Sequence, residues 1–169
     1  MRIIIFLIVT FQLNQISNAQ NLSRFDYFFG YGFYEGLNIG SEYFFKSYKQ
    51  SISTSIGYDK FIDKKQESFA LTIGYNFAIF RKHKNDSNAY KWHINNNVVL
   101  WQLEDDYYIW KAISLIPSIN RKFILCRNLS LSFDIGPSFN IVLYNKRKTY
   151  KEVGWPYHVM PDFRILLIF

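Results

Sequence analysis

The sequence predicts an all-β fold: an eight-stranded antiparallel up-and-down transmembrane β-barrel behind a cleaved leader. Three observations carry that prediction. Bulky apolar residues alternate with small polar ones at period two along most of the chain, and eight segments of strand length can be laid out along it. Aromatic residues make up 20% of the 169 positions, with 17 Phe, 13 Tyr and 4 Trp, more than a soluble domain of this size readily buries. The longest apolar run, Ile3 to Val9, spans 7 residues, whereas a helix needs about 20 to cross a bilayer, so a helical membrane protein is excluded. Hydrophobic residues at 49% and charged residues at 20% exclude disorder.

Residues 1–19 read as a secretory signal, and 20–169 as one barrel domain. Arg2 supplies the charge, Ile3 to Phe11 the apolar stretch, and Ser17-Asn18-Ala19 the small-x-small cleavage site. Position 20 is Gln, which disfavours a lipid-anchored lipoprotein. Without Arg2, 19 Lys and Arg face 13 Asp and Glu, a net charge of about +6 that suits an anionic neighbour such as lipopolysaccharide phosphate. Nucleic acid is not expected as a partner, since no helix-turn-helix, zinc or RNP-type pattern occurs.

The strands are expected near 25–33, 36–46, 50–60, 67–80, 91–102, 108–121, 128–144 and 156–169. The first breaks alternation at Phe28-Phe29, and the fifth and sixth, with Asn95-Asn96-Asn97 and Lys111, do not declare a face. In the fourth, Phe69, Leu71, Ile73, Tyr75 and Phe77 alternate with Ser68, Ala70, Thr72, Gly74 and Asn76. In the seventh, Leu131, Phe133 and Ile135 alternate with Ser132, Asp134 and Gly136. Ile-Gly recurs at 39–40, 56–57 and 73–74, seventeen residues apart, which fits one strand plus one turn. The second face carries almost no Lys or Glu, as a water-exposed wall would, but small residues that fit the narrow inside of an eight-stranded barrel. The bulky face is therefore assigned to lipid. Outer loops are expected at 34–35, 61–66, 103–107 and 145–155, and inner turns at 47–49, 81–90 and 122–127. Trp101, Tyr107, Tyr108, Trp110 and Trp155 are expected at the outer rim as an interfacial belt, with Trp92 and Phe169 at the inner one.

Phe163, Ile165, Leu167 and the terminal Phe169 resemble the C-terminal signature by which bacterial outer-membrane barrels are recognised for assembly. The wider chain, through Gly36-Leu37-Asn38-Ile39-Gly40-Ser41-Glu42-Tyr43, Ser55-Ile56-Gly57-Tyr58 and Leu115-Ile116-Pro117-Ser118-Ile119, resembles small outer-membrane β-barrel proteins of the Bacteroidetes type, eight-stranded and of OmpA/OmpX-like architecture. The resemblance implies a bacterial outer-membrane location, lipid and lipopolysaccharide as surroundings, and the barrel-assembly machinery as a partner. A monomer is expected.

Glu42, Asp59, Asp134, Asp162 and Arg164 fall on the interior face, where they are expected to form a charge network with Arg164 as hub. Lys146-Arg147-Lys148 with Lys151 form the densest basic run, expected in a surface loop. No catalytic residues, cofactor or metal are expected: the single cysteine is Cys126, and the histidines are His83, His93 and His158. His158 and Asp162 share a face but lie about 13 Å apart along a strand, too far for a nucleophile-activating pair. The expected function is a structural or surface-interaction role. The alternatives are an outer-membrane lipid-modifying enzyme of lipid A deacylase or acyltransferase type, and a secreted lipocalin-like binding barrel with the two faces reversed.

Overall fold

A computed structural model describes residues 24–45, 49–59, 67–81, 90–106, 108–126, 129–147 and 158–169. Eight strands run Phe25–Gly32 (β1), Gly36–Phe44 (β2), Gln50–Asp59 (β3), Glu67–Arg81 (β4), Tyr90–Glu104 (β5), Tyr108–Cys126 (β6), Leu129–Arg147 (β7) and Val159–Ile168 (β8). Each pairs antiparallel with its neighbours in sequence, and β8 returns to β1, so the sheet closes. No helix occurs among the described residues. Closure gives every strand two partners, which satisfies the backbone of an all-β wall without help from solvent. We call the rim that carries the two strand ends Phe25 and Ile168 the lower rim, and the one that carries the β1–β2 turn the upper rim.

The period-two pattern divides the wall as side-chain size suggested. Phe69, Ile73, Phe133 and Ile165 are 52%, 54%, 41% and 40% exposed on the outside. Ser51, Ser53, Ser55, Thr72, Asn76, Ser114, Ser132, Ser138 and Asn140 are buried inside. An eight-stranded barrel is just wide enough for side chains to fill, so small hydrogen-bonding groups occupy its axis.

The interior departs from the small-polar expectation at both ends. Trp101, Tyr108 and Trp110, expected in an outward belt, are buried at the upper end with Tyr34, Val99, Ala112 and Ile116. Strand parity explains the correction: Trp101 shares a face with Asn95 and Asn97, and Tyr108 and Trp110 share one with Ser114 and Asn120. At the lower end Phe28, Leu166 and Ile168 form a smaller apolar cluster. Tyr107 and Trp155 lie outside the described residues.

Residues 122–126, expected in a turn, instead continue β6 to Cys126. Their basic neighbours read as turn-like but are held in the wall. Lys122 points inward to Asp26, at 2.9 Å, and the Arg121 guanidinium lies 4.9 Å from the Trp92 ring and 4.7 Å from Phe123. Ladder irregularities fall at Leu143 in β7, Ile79 in β4, Lys91 in β5 and Leu125 in β6, where one strand carries an extra residue and its twist increases. Between β6 and β7 the pairing lapses from Leu115↔Phe139 to Ile119↔Ile135. The flanking register sets Pro117 opposite Pro137 in that gap, and neither has an amide hydrogen to donate.

The β1–β2 connection is a three-residue loop, Phe33-Tyr34-Glu35, closed by the Gly32↔Gly36 pair. Gly36 has φ of 62°, the left-handed residue that ends such loops. This loop folds into the barrel mouth, where Glu35 crosses over β3. A Cβ at Gly57 would stand 2.1 Å from the Glu35 carbonyl oxygen, so only glycine permits the crossing. Replacement Gly57→Val is expected to lift the loop and lower stability by about 1–3 kcal/mol, as core overpacking does. The midpoint of urea unfolding of the refolded barrel measures it.

Candidate functional site

The middle of the lumen is organised by one cation. The Arg164 guanidinium, from β8, contacts Asp134 Oδ2 of β7 at 2.7 Å and Glu35 Oε1 of the inward loop at 3.5 Å. Asp134 and Arg164 are register partners, so the shorter bond follows directly from strand pairing. Glu35 is 2% exposed and gathers donors from three further strands. Asn38 Nδ2 donates to its Oε2 at 3.0 Å, Ser55 Oγ to Oε1 at 3.2 Å, and Thr72 Oγ1 also donates to Oε1. Asn95 Nδ2 donates to Asp134 Oδ1 at 2.8 Å. Buried charges persist only when paired and hydrogen-bonded, and both carboxylates meet that condition.

Of the five interior residues read from the sequence, Asp134 and Arg164 are in direct contact. Asp162 is buried on the same inner face of β8. Glu42 sits lower, where it accepts from Ser51 Oγ and, at 2.7 Å, from Asn76 Nδ2, and forms a separate centre. Asp59 stands at the upper end of β3 and accepts from the Tyr31 hydroxyl at 3.2 Å. The missing member is Glu35. The outer loop expected at 34–35 turns inward instead, and the sequence signal that goes with it is the pair of glycines at 32 and 57, where a Cβ would meet Glu35.

Above this centre a chain of hydrogen bonds crosses the aromatic plug. Trp101 Nε1 donates to Ser114 Oγ at 2.7 Å, and Ser114 donates to Asn140 Oδ1 at 2.5 Å. Asn140 Nδ2 donates to the Tyr34 hydroxyl at 2.8 Å. Tyr34 and Ser138 are 2.6 Å apart, and Ser138 donates to the Met160 carbonyl at 3.0 Å, which makes Tyr34 the donor to Ser138. The chain links β5, β6, β7, the loop and β8. Burial raises the Tyr34 hydroxyl above its ordinary pKa, so the neutral phenol is the form that holds this place.

Lys146 and Arg147 belong to β7 and not to a loop, because the strand extends past the expected end at 144. Lys146 is exposed; Lys148 and Lys151 lie outside the described residues. Phe163, Ile165 and Phe169 face outward, and the Phe169 backbone exchanges two 2.9 Å hydrogen bonds with Tyr27 across the closing seam. His158 is exposed at the upper rim while Asp162 is buried, and His93 lies on the inner face of β5 opposite Asn120. His83 and residues 1–19 lie outside the described residues. Among the described residues no group of three or more His, Cys, Asp or Glu is placed to hold a metal ion.

No family model, curated protein or solved structure matches this chain. Chemically, the arrangement is a crosslink through the lumen: paired charges between two apolar clusters. Replacement Arg164→Met leaves Glu35 and Asp134 buried without their cation and is expected to cost about 3–5 kcal/mol. Adding Glu35→Gln and Asp134→Asn to that variant should restore most of the loss. Urea unfolding followed by tryptophan fluorescence compares the two.

Proposed function

We propose that this chain is an outer-membrane β-barrel of a bacterium, with a structural or surface-interaction role and no catalytic activity. One observation carries the reading. Large apolar side chains stand exposed on the outer wall of all eight strands, from Phe25 and Phe29 on β1 to Phe163 and Ile165 on β8. Water does not favour a continuous apolar wall of this kind, whereas hydrocarbon does. A lipocalin-like binder would turn these residues inward. The outward-facing Phe163, Ile165 and Phe169 support recognition by the barrel-assembly machinery. The basic character of the chain supports lipopolysaccharide as a neighbour at the upper rim, with that rim outside the cell and residues 1–19 removed on export. Lipid modification would need a nucleophile beside an activating base, and the lumen centre instead commits its carboxylates to Arg164, asparagine and hydroxyl donors.

Cell fractionation tests the location: the protein should pellet with the outer membrane, and a soluble periplasmic pool would overturn the reading. In unheated SDS gels the refolded barrel should migrate differently from the boiled chain. Replacement Ile73→Lys should weaken insertion into lipid vesicles by about 2–4 kcal/mol if the residue meets the bilayer midplane. Lipid A from cells that overproduce the protein should keep its acyl pattern in mass spectra.

A further inference from the structure

Three buried asparagines commit their amide donors to carboxylates. Asn38 Nδ2 donates to Glu35, Asn76 Nδ2 to Glu42 and Asn95 Nδ2 to Asp134. An ionised carboxylate only accepts, so the bonds to Glu35 and Asp134, both paired with Arg164, fix which end of Asn38 and Asn95 is which, and in all three asparagines the carbonyl oxygen turns away. Those three oxygens meet no hydrogen-bond partner, and neither do Ser118 Oγ or the two polar atoms of Asn97. Each of these five residues is at most 6% exposed. Orphaned polar atoms buried this deeply are costly, and proteins satisfy them.

Four of the five form one patch. Asn76 is the register partner of Asn95, Asn95 that of Ser118, and Asn97 follows Asn95 on the same inner face. Asn97 reaches over Gly74, where a Cβ would come within 2.3 Å of its Oδ1. The patch is short of donors: it presents the carbonyl oxygens of Asn76, Asn95 and Asn97 against the Asn97 amide and the Ser118 hydroxyl. A partner must therefore mainly donate. Carbonyl oxygens cannot hydrogen-bond one another, and a water that donates to two of them satisfies both. A hard cation would need six or more oxygens about a common centre, and the patch offers four beside the Asn97 amide donor. Trp101, Trp110 and Ile116 close the lumen above, and Phe28, Leu166 and Ile168 close it below.

We propose that the patch Asn76, Asn95, Asn97 and Ser118 is a binding site for ordered water, a short row of internal molecules that donate to the amide carbonyls and are sealed between the two plugs. The site follows from the lumen alone and does not depend on where the barrel resides.

The test uses the full chain, labelled with nitrogen-15 and refolded in detergent micelles, with water as the probe. Side-chain amide protons of Asn76, Asn95 and Asn97 should show cross-relaxation with water of the sign given by long-held molecules. Their absence in the folded barrel overturns the proposal. Ser118→Ala separates water from hydroxyl exchange: persistence of the signals supports bound water, and their loss overturns it. Asn97→Leu should abolish the signal at Asn95, and retention of that signal overturns the row. Titration with sodium, potassium or ammonium should leave the three amide shifts unmoved, and a saturable shift overturns water in favour of a cation.

Discussion

The Arg164 contacts to Glu35 and Asp134 close the barrel twice over. The sheet's own closing seam is short: register pairs run from Phe28↔Ile168 to Gly32↔Arg164, with Tyr27–Phe169 and Phe33–Phe163 backbone bonds at its two ends. Immediately above it the β1–β2 loop turns inward and sets the Glu35 carboxylate against the guanidinium of β8. The same carboxylate takes hydrogen bonds from β2, β3 and β4. One side chain thus ties the first strands to the last through the lumen, in addition to the ladder around the wall. The arrangement depends on a desolvated anion being cheaper to bury with three donors and a cation than to leave in part satisfied.

Around that tie the interior is layered. Apolar groups cap the column above and below, and polar groups fill the space between them. The order is the reverse of a soluble core, where apolar groups sit in the middle and polar ones outside. It follows from the narrow axis: Trp101, Tyr108 and Trp110 fill the cross-section at the upper end, and hydrogen-bonded serines and asparagines occupy it between the two apolar clusters.

The outer wall was legible in the sequence because period two is a local property. Phe69, Ile73 and Phe133 each have small polar neighbours on both sides, and that suffices to assign a face without knowledge of any partner strand. The strand limits followed within a few residues except where β6 and β7 run on past their expected ends. The inward aromatics were missed because Trp and Tyr near a rim were judged by their preference for an interface and not by parity with Asn97 or Ser114. Glu35 was missed for a different reason. A three-residue loop carries no alternation, and its direction is set by Gly36 and by the free space over Gly57, which only the assembled strands reveal.

The opposed prolines of β6 and β7 divide the longest hairpin in the molecule. Above them β6 and β7 zip from Tyr108↔Arg147 to Leu115↔Phe139, and below them from Ile119↔Ile135 to Cys126↔Leu129. Between the two lengths the reciprocal amide-to-carbonyl bonds cannot form, so the hairpin behaves as two stiff zippers in series with a compliant joint. At that level β6 stays paired to β5 and β7 to β8, so the flanking ladders carry the wall across the joint.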